Sequence, residues 1–287
     1  MTATTNELTA PRRGLVAGLR HSIPRNEFFA GLYILGLANG LLARLYSTSN
    51  FDDWTGVVQS LDLNVIVLFA CFAGVSAFFC DNREQIRTTD LAVAAVFLMF
   101  TALPISALSW LAVTGLSLYI LLFANGSAAR KRGAVILLAL TVPMLWSQML
   151  FRFFAKLILD IDALLVASLL GTDRIGNMVG MADGSGHIVI LPACSSLTNM
   201  SLGFLCWVSI TQWAEHRWSA EDVLWSLLVC LSVIAVNVMR MSLMGLSHWH
   251  YEIFHSDLGG MAANFIMLCL MIGFSVLGAR RELFSRV

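Results

Sequence analysis

Between residues 28 and 278 the chain is a succession of apolar runs separated by short polar breaks. A run of roughly 20 apolar residues is what an α-helix needs to cross a hydrocarbon core. Runs of that kind cover about residues 28–46, 63–80, 133–151, 194–213, 222–246 and 259–278. The stretch 90–124 is too long for one straight span and carries Pro104, Ser106 and Ser109 near its middle, so it reads as a hairpin of two short helices, 90–103 and 107–124. The expected fold is an all-α polytopic membrane protein of about eight transmembrane helices. A composition of 58% hydrophobic and 13% charged residues lies outside the soluble globular range and agrees with this.

Charge placement orients such a bundle, because Lys and Arg concentrate on the cytoplasmic side. With eight spans and the N-terminus inside, Arg12, Arg13, Arg20, Arg25, Arg83, Arg87, Arg130, Lys131, Arg132, Arg217, Arg280, Arg281 and Arg286 fall inside. That is most of the 18 basic residues; Arg44, Arg152, Lys156, Arg174 and Arg240 fall outside. Treating 90–124 as one span would put the Arg130-Lys131-Arg132 cluster outside. Residues 1–27 read as a cytoplasmic tail, since they lack the apolar core and cleavage site of a signal peptide. Residues 28–278 read as a single transmembrane domain, and 279–287 as a second cytoplasmic tail. The outer loop Ser47 to Asp62 carries Asp52, Asp53 and Asp62 with no basic residue, and Trp54 suits an interfacial anchor.

The pattern changes after residue 152. Phe153 to Leu170 reads as a helix at the outer interface carrying Lys156, Asp160 and Asp162, with Gly171 as its stop. Two short runs, Ile175 to Met181 and His187 to Leu191, flank Asp183-Gly184-Ser185-Gly186 and read as an extracytoplasmic β-hairpin before the sixth span. This hairpin delivers the chain to Pro192 and Cys194. Of the six cysteines, Cys71, Cys80, Cys206, Cys230 and Cys269 sit inside apolar runs, where a thiol behaves as a small hydrophobe. Cys194 alone stands at a loop-to-span junction, near the positive end of a helix macrodipole that favours a thiolate.

Asn237 and Arg240 are three residues apart on the seventh span and share one helix face, with Arg240 near its outer end. An arginine within a span costs roughly 2.5–3.5 kcal/mol on insertion scales, so it faces the bundle interior, pairs or snorkels. The following segment, read as a loop, holds His248, His250 and His255 with Glu252 and Asp257. A thiol, a guanidinium and an imidazole on one side suit nucleophilic acyl transfer: thiolate attack, a cationic donor for the oxyanion, and an acid/base for the leaving amine. No Cys/His spacing suggests a metal site, and no cofactor motif or nucleic-acid signature is present. Neither a HExxH pattern nor a G-x-S-x-G elbow occurs.

Ala193-Cys194-Ser195 at the start of a span, Asn237-Val238-Met239-Arg240 late in the next, and His255 followed by Gly259 before the last resemble the exosortase/archaeosortase family of membrane cysteine transpeptidases. The resemblance covers about residues 130–278. It implies a membrane-embedded cysteine protease-transpeptidase that cleaves C-terminal sorting signals, PEP-CTERM-like, of exported proteins on the outer side of a bacterial inner membrane. The product would pass from a Cys thioacyl intermediate to an acceptor. Carried over by residue, Cys194 is the nucleophile, Arg240 the oxyanion or thiolate partner and His255 the acid/base, supported by Asn237, Ser195 and Ser196. The family motif carries glycine where this chain has Ser196, which bears on substrate choice. The competing readings are a small transporter or channel with Asn237 and Arg240 lining its path, or an export-machinery scaffold; in both Cys194 is incidental.

Overall fold

A computed structural model describes residues 24–48, 65–79, 84–124, 126–217 and 219–280. The expected tails over 1–23 and 281–287, and the acidic outer loop with Asp52, Asp53, Trp54 and Asp62, lie outside the described residues. The chain divides into two compact units, Met1–Asp62 with Gly74–Ala134, and Leu63–Ala73 with Val135–Val287. Each is taken by itself below.

The first unit is built on α1 (Arg25–Thr48), α3 (Thr88–Thr101) and α4 (Ser106–Leu122). Helix α2 (Val65–Ser76), which continues into a 3-10 turn at Ala77–Phe79, and helix α5 (Ala128–Thr141) each contain a boundary between units. Pro104 lies in the break between α3 and α4, where its missing N–H and fixed φ end a helix. The break is closed by Asn39 on α1, whose Nδ2 donates to the Thr101 carbonyl at 3.0 Å and to Ser109 Oγ at 2.8 Å. Close packing of α1 depends on glycine: a Cβ at Gly36 would stand 2.6 Å from Phe97 Cζ. Between α1 and α4, the buried Tyr33 hydroxyl meets Ser117 Oγ at 2.9 Å.

At one end of this unit lies a buried ionic network. Arg25 is fully buried and holds Asp90 in a two-pronged pair, Nε to Oδ2 at 2.7 Å and Nη2 to Oδ1 at 2.8 Å. Glu84 accepts from Arg25 Nη1 at 3.2 Å and from Arg130 Nη2 at 2.9 Å, and Arg130 Nε donates to Asn26 Oδ1 at 2.6 Å. Asp90 further accepts from the Tyr119 hydroxyl at 2.7 Å and the Arg87 N–H at 2.8 Å. Burial opposes ionisation of both members of the central pair, yet hydrogen bonding and charge complementarity prevail: the Asp90 carboxyl is held below its usual range and the Arg25 guanidinium above its own. Arg25 and Arg130, which the sequence reading uses for their side of the membrane alone, are thus packed structural charges.

In the second unit, α5 widens into a π turn at Val142–Trp146 and continues as α6 (Ser147–Leu170). Pro143 sits in that turn, where an α-helical register would set its ring against the preceding carbonyl. Gly171 ends α6 in the left-handed conformation, φ 69°. Three short antiparallel strands follow in the order β1 (Arg174–Ile175), β2 (Met178–Gly180), β3 (His187–Val189). The expected two-strand hairpin is therefore a three-stranded sheet: Gly176 at φ 60° turns Arg174–Ile175 back against β2. A 3-10 turn, Pro192–Cys194, leads into α7 (Ser196–Trp213), followed by α8 (Glu221–Met244), α9 (His248–His255) and α10 (Asp257–Gly278). Helices α7, α8 and α10 converge at Gly203, where an added Cβ would meet Val229, Val233 and Met271 within 3.6 Å. A separate core gathers Ala163, Val166 and Ala167 of α6, Val179 and Ile188 of the sheet, Ile190, and Val238 and Met241 of α8.

The eight-span expectation is overturned. Among the described residues two helices, α8 and α10, are long and apolar enough to cross a membrane. The other apolar runs are divided or diluted. Helices α2 and α3 have 12 and 14 residues, about 18–21 Å at 1.5 Å per residue against a hydrocarbon core of about 30 Å, and the run that includes α5 is broken by the π turn at Val142–Trp146. The 24-residue α1 starts Arg-Asn-Glu and includes Asn39 and Arg44, and the 24-residue α6 carries Arg152, Lys156, Asp160 and Asp162. In α8 and α10 only 28% and 22% of the most apolar window is buried, whereas a core helix of a soluble domain is mostly buried. Leu224, Leu227, Leu231, Met261, Phe265 and Ile272 project outward from these two helices, an apolar surface that supports association with a membrane.

Candidate active site

The site begins where the sheet hands the chain to α7. Ile190 N–H donates to the Asn177 carbonyl at 2.9 Å, and Asn177 Nδ2 returns a bond to the Ile190 carbonyl at 3.0 Å, which holds the end of the sheet. Leu191 is extended and Pro192 starts the 3-10 turn, for which its fixed φ suits it. Cys194 N–H closes the turn on the Leu191 carbonyl at 2.9 Å.

Cys194 stands outside the helix, which starts at Ser196, two residues after the start that the sequence reading gives the span. Ser195, extended at φ −70° and ψ 140°, is the N-cap: its Oγ accepts from Leu197 N–H at 3.3 Å. The Ser196 N–H donates to Asp162 Oδ2 of α6 at 3.1 Å, and Asp162 is buried. Two of the helix's free donors are therefore occupied by the protein itself, and a carboxylate sits at the positive end of the dipole. The α7 terminus thus directs these donors at the Ser195 hydroxyl and the Asp162 carboxylate. The Cys194 side chain is half-buried against the core of Ala163, Val166, Ile188, Val238 and their neighbours, and among the described residues nothing hydrogen-bonds its Sγ. Cys206, by contrast, is buried and receives the Ser275 hydroxyl at 3.9 Å.

Helix α8 ties this elbow to the last part of the site. Buried Asn237 donates through Nδ2 to the Cys194 carbonyl at 2.8 Å and to Ser196 Oγ at 3.0 Å. Ser196, at the position where the resembled motif has glycine, is thus an anchor for Asn237. Nearly one turn along the same face, Arg240 Nε donates to the Phe254 carbonyl at 3.3 Å, one residue before His255. Among the described residues no carboxylate pairs with Arg240. Its Nη2 lies 3.5 Å from where a Cβ on Gly260 would be, an ordinary contact distance that places the guanidinium beside the first turn of α10.

The segment bearing the histidines is a helix, not the expected loop. Ser247 caps α9, its Oγ accepting from His250 N–H and meeting His250 Nδ1 at 2.8 Å. His250 is thereby engaged in the cap. His248 is exposed, with Nε2 3.6 Å from Glu252. His255, in the last turn, stacks on Tyr251 with ring centroids 4.9 Å apart and planes at 18°, and Tyr251 packs against the same core as Cys194. The structure therefore joins Cys194, Ser196 and Asn237 in one hydrogen-bonded group, uses Ser195 as the cap between them, and fastens Arg240 to the turn that carries His255.

Two residues of this arrangement escape the sequence reading. Asp162 was placed at an outer interface, yet it lies on the inward stripe of α6 with Ala163, Val166 and Ala167; a charge on an otherwise apolar stripe is the signal that marks it. Tyr251 was passed over because helical spacing brings it beneath His248 and His255 only once the segment is a helix. No protein-family model, curated protein or solved structure matches the chain.

Proposed function

We propose that this chain is a membrane-bound cysteine transpeptidase of the exosortase/archaeosortase kind, acting at an outer membrane–water interface on exported proteins with C-terminal sorting signals. One observation carries the reading. A single face of α8 holds the backbone of Cys194 through Asn237 and the His255 turn through Arg240, at 2.8 and 3.3 Å. Thiol, guanidinium and imidazole are thus carried on segments fastened to one helix, while among the described residues the thiol has no hydrogen-bond partner and the guanidinium no carboxylate.

In the first half-reaction His255 takes the proton of the Cys194 thiol as Sγ attacks the scissile carbonyl carbon, and the C–S bond forms as the amide C–N bond breaks. The leaving amine takes a proton from the imidazolium of His255, and Arg240 donates to the oxyanion between these events. An amine acceptor, or water, then attacks the thioester while giving a proton to His255; the C–S bond breaks and that proton returns to the Cys194 sulfur. His255 is favoured over His250, which the Ser247 cap engages, and over His248, which projects beside Glu252. In this arrangement α8 and α10 enter the bilayer with the elbow at their outer ends.

The test is capture of a covalent adduct on Cys194 by mass spectrometry in membranes containing a protein that ends in a sorting motif, an apolar helix and basic residues. A Cys194-linked acyl fragment, absent in Cys194→Ala, supports the reading. Unchanged processing in Cys194→Ser overturns it, and lost solute flux in Arg240→Ala with that result would favour a transport protein.

A further inference from the structure

The strand that leads to Cys194 is an edge of its sheet. In the order β1-β2-β3, strand β3 is paired on one side by β2, with Met178 opposite Val189, Val179 opposite Ile188 and Gly180 opposite His187. The bonds that frame this ladder fix its phase: Ile190 N–H goes to the Asn177 carbonyl and Met181 N–H to the Gly186 carbonyl. In an antiparallel pair, residues whose backbone groups point at the partner alternate with residues whose groups point away. Gly186, Ile188 and Ile190 therefore face β2, and His187, Val189 and Leu191 turn their N–H groups outward, with the carbonyls of His187 and Val189. Among the described residues none of these groups has a partner, while Val189 is 48% exposed. Unpaired strand-edge groups are a template for an added strand.

We propose that this edge is the docking site for the extended segment of the substrate, which pairs with His187, Val189 and Leu191 as a fourth strand and so reaches Cys194, three residues beyond Leu191. The inference rests on the transpeptidase reading for the identity of the occupant. Its support is independent of the nucleophile: three consecutive outward backbone positions present donors and acceptors at the two-residue spacing of an extended peptide. Alternation also divides the strand by task, since Ile188 is buried in the core and holds the edge in place, while His187 and Val189 are exposed beside the added chain. A second copy of this protein could use the same edge, and the experiment separates that case.

The experiment uses the full chain in lipid nanodiscs, carrying Cys194→Ala so that binding is read without chemistry. The probe is a fluorescein-labelled pentapeptide of alternating Thr and Val, followed by anisotropy. Val189→Pro removes one outward N–H, and proline is tolerated at an edge position of this kind. It weakens binding about tenfold, the net worth of one backbone hydrogen bond, while Val189→Ala, which keeps the N–H, stays within about twofold. N-methylation of the peptide gives a reading that needs no variant: methylating one alternate set of amides weakens binding, and methylating the other does not. No binding, equal losses in Val189→Pro and Val189→Ala, or indifference to both methylation sets overturns the proposal. So does self-association that disappears in Val189→Pro while peptide binding persists. Normal edge binding together with a Cys194 that forms no acyl adduct would sink the transpeptidase reading and leave the edge site standing.

Discussion

The two units each concentrate polar groups in apolar surroundings, but they spend them differently. In the first, Arg25 and Asp90 bind through both prongs, Glu84 bridges Arg25 to Arg130, and Arg130 reaches Asn26. In the second, the strong contacts of the site go to backbone: Asn237 to the Cys194 carbonyl, Asp162 to the Ser196 amide, Arg240 to the Phe254 carbonyl. The Cys194 Sγ and a guanidinium without a carboxylate are left over. Charges that satisfy one another stabilise or specify a fold, whereas groups oriented by backbone contacts and left with open valences remain available for a ligand.

This contrast is open to direct attack. The largest effect is expected at Cys194. Its replacement by alanine removes the proposed nucleophile and lowers processing on the order of 10⁴-fold or more, measured as single-turnover cleavage, with unfolding unchanged. Next is Asp90→Ala, which removes the two-pronged partner of the fully buried Arg25 guanidinium and costs about 3–5 kcal/mol in denaturant unfolding, while iodoacetamide labelling of Cys194 proceeds at its wild-type rate. If Asp90→Ala is neutral, the first cluster is not structural in the sense argued here.

Arg240→Ala is expected to lower kcat about 10²–10³-fold, the loss of one oxyanion donor, with a stability loss no larger than about 1 kcal/mol from the lost bond to the Phe254 carbonyl. A destabilisation as large as that of Asp90→Ala would make the two clusters equivalent and remove the contrast. Asn237→Ala should cost about 1–3 kcal/mol of stability, because it leaves the Cys194 carbonyl without its side-chain donor. The smallest effect concerns pH. The Asp90 carboxyl is depressed in the fold, chiefly against burial and through Arg25, so its stabilising contribution is present above the unfolded value of about 3.9 and is lost as pH falls through the lower folded value. Hydrogen exchange of α1 and α3 amides should therefore be slow above the ordinary carboxylate range and quicken progressively as pH falls below it towards the lower folded value. Asp90→Asn should abolish that acid step.

Much of the local structure was legible. Pro104 marks the break between α3 and α4, Gly171 stops α6, and Pro192 precedes the helix after the sheet, because each acts through its own backbone geometry. Asn237 and Arg240 share a face because their spacing is three. Other features were not legible for the same reason turned round. Gly176 has a positive φ that permits the extra strand, yet nothing in the neighbouring residues demanded it. The shift of Cys194 out of α7 depends on Ser195 outcompeting it as the cap and on Asp162, 34 residues earlier, reaching the Ser196 amide. The His248–His255 segment folds as a helix through the Ser247 cap and the packing of Tyr251 on the core.

By itself the sequence determined a helical, strongly apolar chain, the turns that punctuate it, and the presence of a thiol, a guanidinium and imidazoles near apolar helices. Tertiary structure decided which helices are long and apolar enough to cross a membrane, which charges are buried, and which donors are already taken. Hydropathy is a property of consecutive residues and adds along the chain. Burial and pairing join residues as distant as Arg25 and Asp90, 65 positions apart, and no window along the chain contains both.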